Sequence, residues 1–301
     1  MDRWVRRGEH GAVNTPAALP EVVVLAPHRS VLHRAGLALQ IGLDPDGAVE
    51  VGELSAGTVR LVAELRRAQQ TAALVHRALG WGVQPADAMA LLAELVEAGA
   101  VVDAVRQRRA DELRSGTHVS VRGDGPIAAA MADALAAAGV GGVCRMSAGP
   151  ARRRVPDLVV LADAMVPAPE VLTALLDART PHLAVRLRDG KGLVGPLVLP
   201  GRTSCLRCLE LHRAARDPCW PLLAAQLVDR PGQASAACAA ATAALGVEQA
   251  LAAIDAVHGA PTRTLPEAVE TVFELDLGRG VLSRRHVPAH PACPCRVAAV
   301  G

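Results

Sequence analysis

Aromatic side chains are nearly absent from this chain. Its 301 residues include one Phe, three Trp and no Tyr. So few rings argue against the stacking platforms on which proteins bind single-stranded nucleic acid. Lysine is equally scarce, because Lys191 is the only one and every other basic residue is Arg. The net charge of +2 is small, so the composition predicts no polyanionic partner such as a nucleic acid.

Long apolar segments and a secretory signal are missing as well. The first residues are basic, but no apolar stretch follows them, so no signal peptide is predicted. No uninterrupted apolar span approaches transmembrane length, and no membrane association is expected. The seven cysteines are an odd number, which indicates reduced thiols and metal ligands rather than a disulfide framework. The sequence therefore predicts a cytoplasmic protein.

Four of the seven cysteines form two closely spaced pairs. Cys205 and Cys208 are separated by two residues, and Cys293 and Cys295 by one. Four thiolates complete the tetrahedral shell that zinc prefers in closed, structural sites. His290 is close enough in sequence to compete as the fourth ligand. A C-x-x-C pair alone can also be a redox pair or two buried thiols, but the second pair favours a shared structural Zn²⁺ ion.

The first hundred residues have the pattern of a small α/β domain. Short β-branched runs at 21–26, 38–41 and 48–51 predict a small antiparallel sheet. Helical periodicity follows from Ser55, from Thr71 and from Pro85, and a further strand is predicted over 100–105. Three helices with a strand after the last of them describe a winged helix-turn-helix.

Charge excludes the usual role of that shape. Residues 1–115 contain 13 Arg and 14 Asp plus Glu, a net of −1, and the third helix carries three acidic and no basic residues. DNA affinity depends on basic side chains that displace counterions, so DNA binding is not expected. Such a sheet can instead pair with an extended peptide, whereas a purely structural cap is the alternative. The predicted peptide-binding residues are Val22, Val23, Val24, Leu25, Leu92 and Val96.

A charged, poorly periodic segment separates two predicted domains. The expected order is a flexible leader (1–19), a winged-helix peptide-recognition domain (20–105), a linker (106–116) and an α/β domain (117–301).

The second domain opens on a glycine-rich turn between a strand and a helix. Gly123, Gly125 and Ala128 form a G-x-G-x-x-A pattern, which can cradle a phosphate at a helix N-terminus. Asp124 places a negative charge in that loop, and no acidic residue follows about 20 positions later to hold a ribose. The pattern is therefore interpreted as a degenerate nucleotide loop, in which ATP is not expected and Gly125→Asp should change little.

Strands and helices then alternate in the manner of a mainly parallel, Rossmann-like sheet. Strands are predicted at 118–122, 157–162 and 181–186, and a terminal hairpin from 271–277 and 281–287. The apolar segment 192–201 leads into the first thiol pair.

Several motifs together resemble the ThiF/HesA/MoeB superfamily of ubiquitin-activating-like proteins. These are the Rossmann-like start, DLVVLA, G-x-x-GP-x-x-x-PG-x-x-x-CLRCL, DP-x-WP, a long Ala-rich helix and HP-x-C-x-C. The sequence is most similar to an actinobacterial branch of bacteriocin-biosynthesis cyclodehydratases and precursor leader-peptide-binding proteins, and the resemblance extends from about residue 20 onwards. It implies a winged-helix element before a ThiF-type α/β domain, with Zn²⁺ held by Cys205, Cys208, Cys293 and Cys295.

The sequence departs from the adenylating members at their ATP-binding positions. Where these carry an acidic residue, an Asn and an Arg, this chain has Arg145-Met146-Ser147 and the run 152–154. Asp163 could correspond to a magnesium ligand, whereas Lys191 lies too close to the first thiol pair to be the family's catalytic lysine. Both are expected to be ordinary surface residues. No catalytic residue is assigned.

Two functions from different classes therefore compete. The resemblance favours a non-catalytic scaffold that binds a precursor leader peptide and presents it to a cyclodehydratase-type partner, with a homodimer as a possible state. The alternative is an active ATP-dependent adenylyltransferase acting on a peptide or ubiquitin-like C-terminus. Cys144, Cys219 and Cys238 have no assigned role, and a thioester at Cys219 has little support.

Overall fold

The computed structural model describes most of the chain. The described residues are 5–6 (backbone only), 19–35, 38–44, 47–52, 54–146, 155–257 and 265–295. They belong to two compact units, Met1–Arg109 and Ala110–Gly301. Most of the expected leader, residues 1–19, lies outside the described residues, although the backbone of Val5–Arg6 pairs with a strand of the first unit.

Among its described residues, the first unit contains three complete helices and seven short strands. In chain order these are β1 (Val5–Arg6), β2 (Val22–Leu25), β3 (Val31–Arg34), β4 (Ala38–Ile41), β5 (Val49–Val51), α1 (Ala56–Glu64), β6 (Gln69–Gln70), α2 (Thr71–Leu79), α3 (Pro85–Glu97) and β7 (Val101–Asp103). The Ser55 side chain accepts a hydrogen bond from the Thr58 N–H (3.1 Å) and begins α1. Pro85 begins α3, where a missing N–H costs nothing.

The strands of the first unit form two antiparallel sheets rather than the single small sheet expected. One sheet has the order β1-β5-β4-β3 and the other the order β6-β2-β7. The three helices and a strand after the third are present as predicted. Their apolar faces enclose one core that includes Leu61, Leu74 and Leu92, each fully buried.

The predicted linker is helical. Helix α4 (Ala104–Gly116) includes the whole segment 106–116, and the boundary between the units falls within it. Its charged residues lack an apolar stripe, which is why periodicity did not reveal a helix there. Within the second unit, Arg114 of α4 makes a two-pronged ion pair with Asp255, with N···O distances of 2.9 and 2.6 Å.

The second unit is built on a mixed seven-stranded sheet. Its further elements are β8 (His118–Arg122), α5 (Pro126–Ala137), β9 (Gly142–Met146), β10 (Leu158–Asp163), α6 (Pro169–Asp177), β11 (His182–Arg188), β12 (Lys191–Val198), α7 (Leu206–Arg216), α8 (Trp220–Leu227), α9 (Ala236–Val257), β13 (Thr271–Asp276) and β14 (Val281–His286). The order is β14-β13-β12-β11-β10-β8-β9. Strands β9, β8, β10 and β11 are parallel, and the next three pairings are antiparallel. The sheet is thus half parallel rather than mainly parallel.

Each face of this sheet is covered by helices. Helices α5 and α9 pack on one face, over residues such as Val121, Val160 and Val185. The other face packs on α6 and α7 through Leu161, Ala184 and their neighbours. This second face, here called the α7 face, also carries the thiol cluster and several arginines.

Helix α9 corrects the expectation that no apolar span reaches transmembrane length. Its segment Ala236–Ala256 is long and apolar enough to cross a membrane, with a mean hydropathy of 1.5. Half of that segment is buried inside the structure, where it packs on α5, β11 and β12 as a core helix. Burial in a core therefore accounts for its apolar composition.

Candidate functional site

The four paired cysteines meet in one cluster. The Sγ atoms of Cys205, Cys208, Cys293 and Cys295 all lie within 4.8 Å of one another. The S···S distances are 3.9 Å for Cys205–Cys208, 3.6 Å for Cys205–Cys293 and 3.5 Å for Cys208–Cys295. A tetrahedral zinc with Zn–S bonds of about 2.3 Å places sulfurs about 3.8 Å apart. The donor set therefore fits zinc, and the sequence prediction that these four thiols converge is confirmed.

Local structure explains how residues nearly ninety positions apart converge. Cys205 is the N-cap of α7, and Cys208 lies in its first turn. The neighbouring Ser204 hydroxyl donates to the Val287 carbonyl (2.6 Å), which fixes the end of β14 beside the start of α7. A turn closed by the hydrogen bond from the Cys293 N–H to the His290 carbonyl (2.9 Å) then brings back the second pair.

His290 takes no place in the thiol cluster. Its Nδ1 accepts a hydrogen bond from the Ala292 N–H (3.1 Å), and its ring makes an edge contact with His212. His212 in turn is within hydrogen-bond distance of the Pro288 carbonyl (2.9 Å). Both imidazoles are thus engaged in ordering the C-terminal turn.

The electrostatics of the cluster favour a cation. Burial raises the pKa of the Cys205 thiol to about 12, and burial and the Cys208 thiol raise that of Cys295. The pKa of Cys208 is lowered, because backbone hydrogen bonds from His290 and Cys205 and contacts with the other thiols outweigh the effect of burial. Four thiolates cannot share this volume without a positive charge, whereas one divalent ion would hold all of them ionised.

The glycine-rich loop is the second predicted site, and it holds an internal ligand. The Asp163 carboxylate accepts hydrogen bonds from the backbone N–H groups of Gly125 (2.9 Å), Ile127 (3.1 Å) and Ala128 (3.2 Å). These are N–H groups at the start of α5, the kind that bind phosphate in nucleotide-binding loops. A carboxylate of the protein itself therefore occupies the anion position of this loop.

Asp163 is the residue that sequence reasoning misjudged. It was expected at the surface, but it is 5 % exposed and ends β10 with a φ of 68°, a conformation that Asp tolerates better than most residues. The carboxyl end of a parallel strand next to the first strand was the available signal, since ligands of such sheets gather there.

The loop glycines are required by this contact. A Cβ on Gly125 would lie 2.5 Å from Asp163 Oδ1, and one on Gly123 would lie 2.7 Å from Asp163 Oδ2. The expectation that Gly125→Asp changes little is therefore wrong, because the new side chain would collide with a carboxylate of the same charge. Asp124, by contrast, is exposed and makes no part of this contact.

The predicted peptide-binding residues need a correction. Strand β2 is the central strand of its sheet: Val22 and Val23 pair with β6, and Val23 to Leu25 pair with β7. A peptide has no free edge beside β2. Leu92 is fully buried in the core of the first unit and Val96 packs against that core, so neither lines an open groove.

The remaining candidate residues lie apart from these two sites. Cys144 and Cys219 are exposed, and Cys238 lies in the first turn of α9 and is buried in the core. Lys191 begins β12 and pairs with Glu274, with an N···O distance of 2.9 Å. The structure thus gives Lys191 a surface ion pair, as expected, and brings it to neither the loop nor the thiols.

Known proteins resemble this chain in fold. No protein family and no curated protein matches its sequence. Crystal structures of Escherichia coli MccB, a microcin C7 biosynthetic enzyme, with MccA-N7isoASN and with ATP each align at a TM-score of 0.63 and 12 % identity, covering 91 % of this chain and 99 % of MccB. The chain has the fold of MccB.

A second protein of similar fold is longer than this chain. A heterocyclase solved with substrate and cofactor aligns at a TM-score of 0.63 and 17 % identity. The alignment covers 91 % of this chain and 39 % of the heterocyclase. Both likenesses support the ThiF-type fold expected for the second domain.

Proposed function

We propose that this chain is a non-adenylating scaffold that binds a precursor leader peptide and presents it to a partner enzyme in ribosomal peptide modification. Two of the similar MccB structures contain a form of MccA, and the similar heterocyclase contains a substrate. A chain with this fold and without nucleotide chemistry is suited to holding the peptide for another enzyme. A cyclodehydratase of azoline or bacteriocin biosynthesis is the partner proposed.

The observation that carries the absence of adenylation is the Asp163 carboxylate on the glycine-rich loop. An ATP phosphate would have to displace three hydrogen bonds from backbone N–H groups and approach a buried negative charge. At about 4 Å and an effective dielectric of about 20, two unit charges of the same sign repel by about 4 kcal/mol. ATP is therefore excluded from this loop in the proposal.

The peptide is proposed to add as a strand to β3. This is the outer strand of the four-stranded sheet in the described part of the first unit. The Gly42 N–H donates to the Ser30 carbonyl, so by the alternation of antiparallel pairs the backbone groups of Val31 and His33 point away from β4. No described strand pairs with this outer side of β3, so these groups can form main-chain hydrogen bonds with an extended segment.

Finer features of the proposal follow the sequence resemblance. We propose a winged-helix recognition element for the first unit, a closed structural Zn²⁺ site for the thiol cluster and membership of the actinobacterial branch. A cytoplasmic location and a homodimer belong to the same proposal. The zinc would fasten the turn after β14 to the start of α7, because each of these contributes two of the four thiols.

The absence of adenylation and the binding of a leader peptide can be tested separately, the first by calorimetry and pyrophosphate exchange and the second by fluorescence. ATP with Mg²⁺ should give no heat of binding, and no pyrophosphate should exchange in the presence of any precursor peptide. A fluorescent leader peptide taken from a neighbouring gene should bind, and His33→Pro should weaken it by about tenfold through loss of one outward N–H. His33→Thr, which keeps the N–H, is the matched control.

The second candidate function is ATP-dependent adenylation of a peptide. The likeness to MccB solved with ATP favours it. Micromolar affinity for ATP, or pyrophosphate exchange that depends on a peptide, would replace the scaffold with this enzyme.

A further inference from the structure

Arginines collect on the α7 face of the sheet in the second unit. Arg186 lies on β11, Arg213 on α7 and Arg285 on β14. Arg285 is paired with Val272, which packs in the core of this face, and Arg186 is two positions after Ala184 of the same core. Because side chains of paired residues, and of residues two apart, point to one face, both strand arginines project towards α7. These three residues are here called the arginine cluster.

The cluster contains hydrogen-bond donors without acceptors. Arg186 is 2 % exposed, and its Nη1 has no hydrogen-bond partner in the described part of the chain. The same holds for Nη2 of Arg213 and Nη2 of Arg285, both buried atoms. A buried donor of a charged group without an acceptor is costly, so three of them on one face call for an explanation.

Two acidic side chains near the arginine cluster are already occupied. Glu210 accepts from Arg213 Nη1 (3.0 Å) with one oxygen and from Trp220 Nε1 (2.6 Å) with the other. Glu274 accepts from Lys191 Nζ (2.9 Å) with one oxygen and from Arg188 Nη2 (3.3 Å) with the other. Neither carboxylate therefore supplies an acceptor to the three open donors.

Positive charge also exceeds negative charge here. Burial lowers the pKa of Arg186 to about 9, and Arg213 and Arg285 lower it further by repulsion, with Glu210 opposing. Burial likewise lowers the pKa of Arg213 and of Arg285. Guanidinium groups of arginine are not deprotonated in proteins, so the repulsion persists in the folded protein.

We propose that the arginine cluster is a binding site for a small oxyanion, a carboxylate or a phosphate group. Guanidinium nitrogens match both groups in geometry and hold them by charge-assisted hydrogen bonds. One oxyanion would supply acceptors to the open donors and offset the repulsion between the arginines. The site uses no residue of the glycine-rich loop itself, although Asp163, which accepts from that loop, is the paired neighbour of Arg186 on β10. The proposal does not depend on the proposed peptide function.

The side chain of Arg213 is held in position before any anion arrives. Its guanidinium lies 4.8 Å from the centre of the Trp220 ring, and Glu210 binds both residues. The backbone of Arg186 is held within the sheet, where it pairs with Asp163 on β10 and Leu193 on β12. A preorganised donor set loses little conformational entropy on binding, which favours affinity.

Titration of the full-length protein with inorganic phosphate tests the site. Calorimetry should show saturable binding, and phosphate should raise the melting temperature by several degrees more than chloride at equal ionic strength. Arg186→Met should weaken phosphate binding about tenfold or more, the loss expected for a charge-assisted hydrogen bond. Arg230→Met removes the same charge from an exposed position of this unit and should leave the binding constant unchanged.

A second variant and a second probe complete the test. Arg285→Gln changes a half-buried residue and should weaken phosphate binding by a similar factor. It replaces Arg186→Met in the test if that variant does not fold. A short peptide with a free C-terminal carboxylate, compared with its amide, separates the two sources. Acid-specific binding that Arg285→Gln weakens identifies a carboxylate, and phosphate binding alone identifies a phosphate group. No binding of either probe, or equal binding by Arg285→Gln and Arg230→Met, would overturn the proposal.

Discussion

The glycine-rich loop and the arginine cluster are two sets of hydrogen-bond donors in one unit, and they differ in whether an acceptor is present. At the loop, three backbone N–H groups donate to Asp163. At the cluster, three guanidinium nitrogens have no acceptor in the described residues. The first set has the sequence pattern of a nucleotide site, yet its donors already bond to Asp163. The second set has no recognisable sequence pattern, yet its donors have no acceptor among the described residues.

This contrast shows why a motif and a site are different things. A glycine-rich turn specifies a backbone shape, and that shape serves a phosphate only if no internal group has reached it first. Donor satisfaction is a property of the folded chain, since Asp163 is 38 residues from Gly125. The arginine cluster, rather than the loop, therefore has the donors available for an anion.

The largest effect on stability is expected at the thiol cluster. It would bind a cation, whereas the arginine cluster would bind an anion. Cys205→Ser or removal of metal with a chelator should release about one zinc per chain, as a closed four-ligand site requires. The free energy of unfolding should fall by about 4 kcal/mol, the linkage for a metal present at a thousandfold over its dissociation constant. Metal analysis and chemical denaturation measure both.

Cys219→Ser is the matched control, because Cys219 is exposed and remote in role from the four thiols. It should keep the metal and the stability. A folded, metal-free wild-type protein of equal stability would refute the zinc site.

Opening the loop should make it resemble the arginine cluster. Asp163→Ala leaves three N–H groups without an acceptor and should cost about 3 kcal/mol in the free energy of unfolding, with Asp163→Asn costing less. Phosphate should then stabilise the Ala variant at the loop, which can be tested by melting with and without Arg186→Met. Asp124→Ala, at an exposed position, should stay within about 0.5 kcal/mol of wild type. An Asp163→Ala variant as stable as wild type would show that the contact contributes nothing.

His182 is a second buried ionisable residue on β11, the strand that carries Arg186. It is 1 % exposed, and burial lowers its pKa from 6.5 to about 4, partly opposed by a backbone hydrogen bond with Thr180. The unfolded chain therefore binds a proton below pH 6.5 that the folded chain refuses until about pH 4. Stability is full above pH 6.5 and falls by about 3 kcal/mol as the pH drops to 4, at about 1.4 kcal/mol per unit of pKa.

Denaturation at several pH values checks this slope. His182→Gln should flatten it, since the side chain no longer titrates. His286→Gln changes an exposed residue of the same unit and should leave the slope as in wild type. An unchanged slope in His182→Gln would mean that other groups control acid stability.

Much of the second unit could be predicted from sequence because its signals are local. Apolar runs predict β8, β10 and β11, and thiol spacing predicts all four members of the thiol cluster. Strand β12 was missed, since its glycines and Pro196 resemble a loop in sequence. It is held as a strand by pairing on both sides with β11 and β13.

What could not be predicted depends on contacts between distant residues. The central position of β2 follows from pairing with β7, nearly eighty residues later, and no local pattern reports it. The arginine cluster joins residues from β11, α7 and β14 in the same way. Helix α4 failed for a different reason, because its charged composition gives no apolar period to detect.

The smallest effect on phosphate binding is expected for Lys191→Met. This variant tests whether a carboxylate of the protein can serve as an acceptor for the arginine cluster. Lys191 holds one oxygen of Glu274, and Arg188 holds the other. Lys191→Met frees the first oxygen on the face that also carries Arg285, whose charge Glu274 already favours. The freed carboxylate should compete with phosphate and weaken its binding by about threefold, the size of effect typical of a surface ion pair.

Arg279→Met provides the comparison for this last variant. Arg279 is an exposed positive residue between β13 and β14, so its removal changes the net charge equally and leaves Glu274 as it is. Calorimetric titration with phosphate should distinguish the two variants. Equal loss in both would mean that Lys191 acts only through long-range charge, and that Glu274 cannot do for the arginine cluster what Asp163 does for the loop.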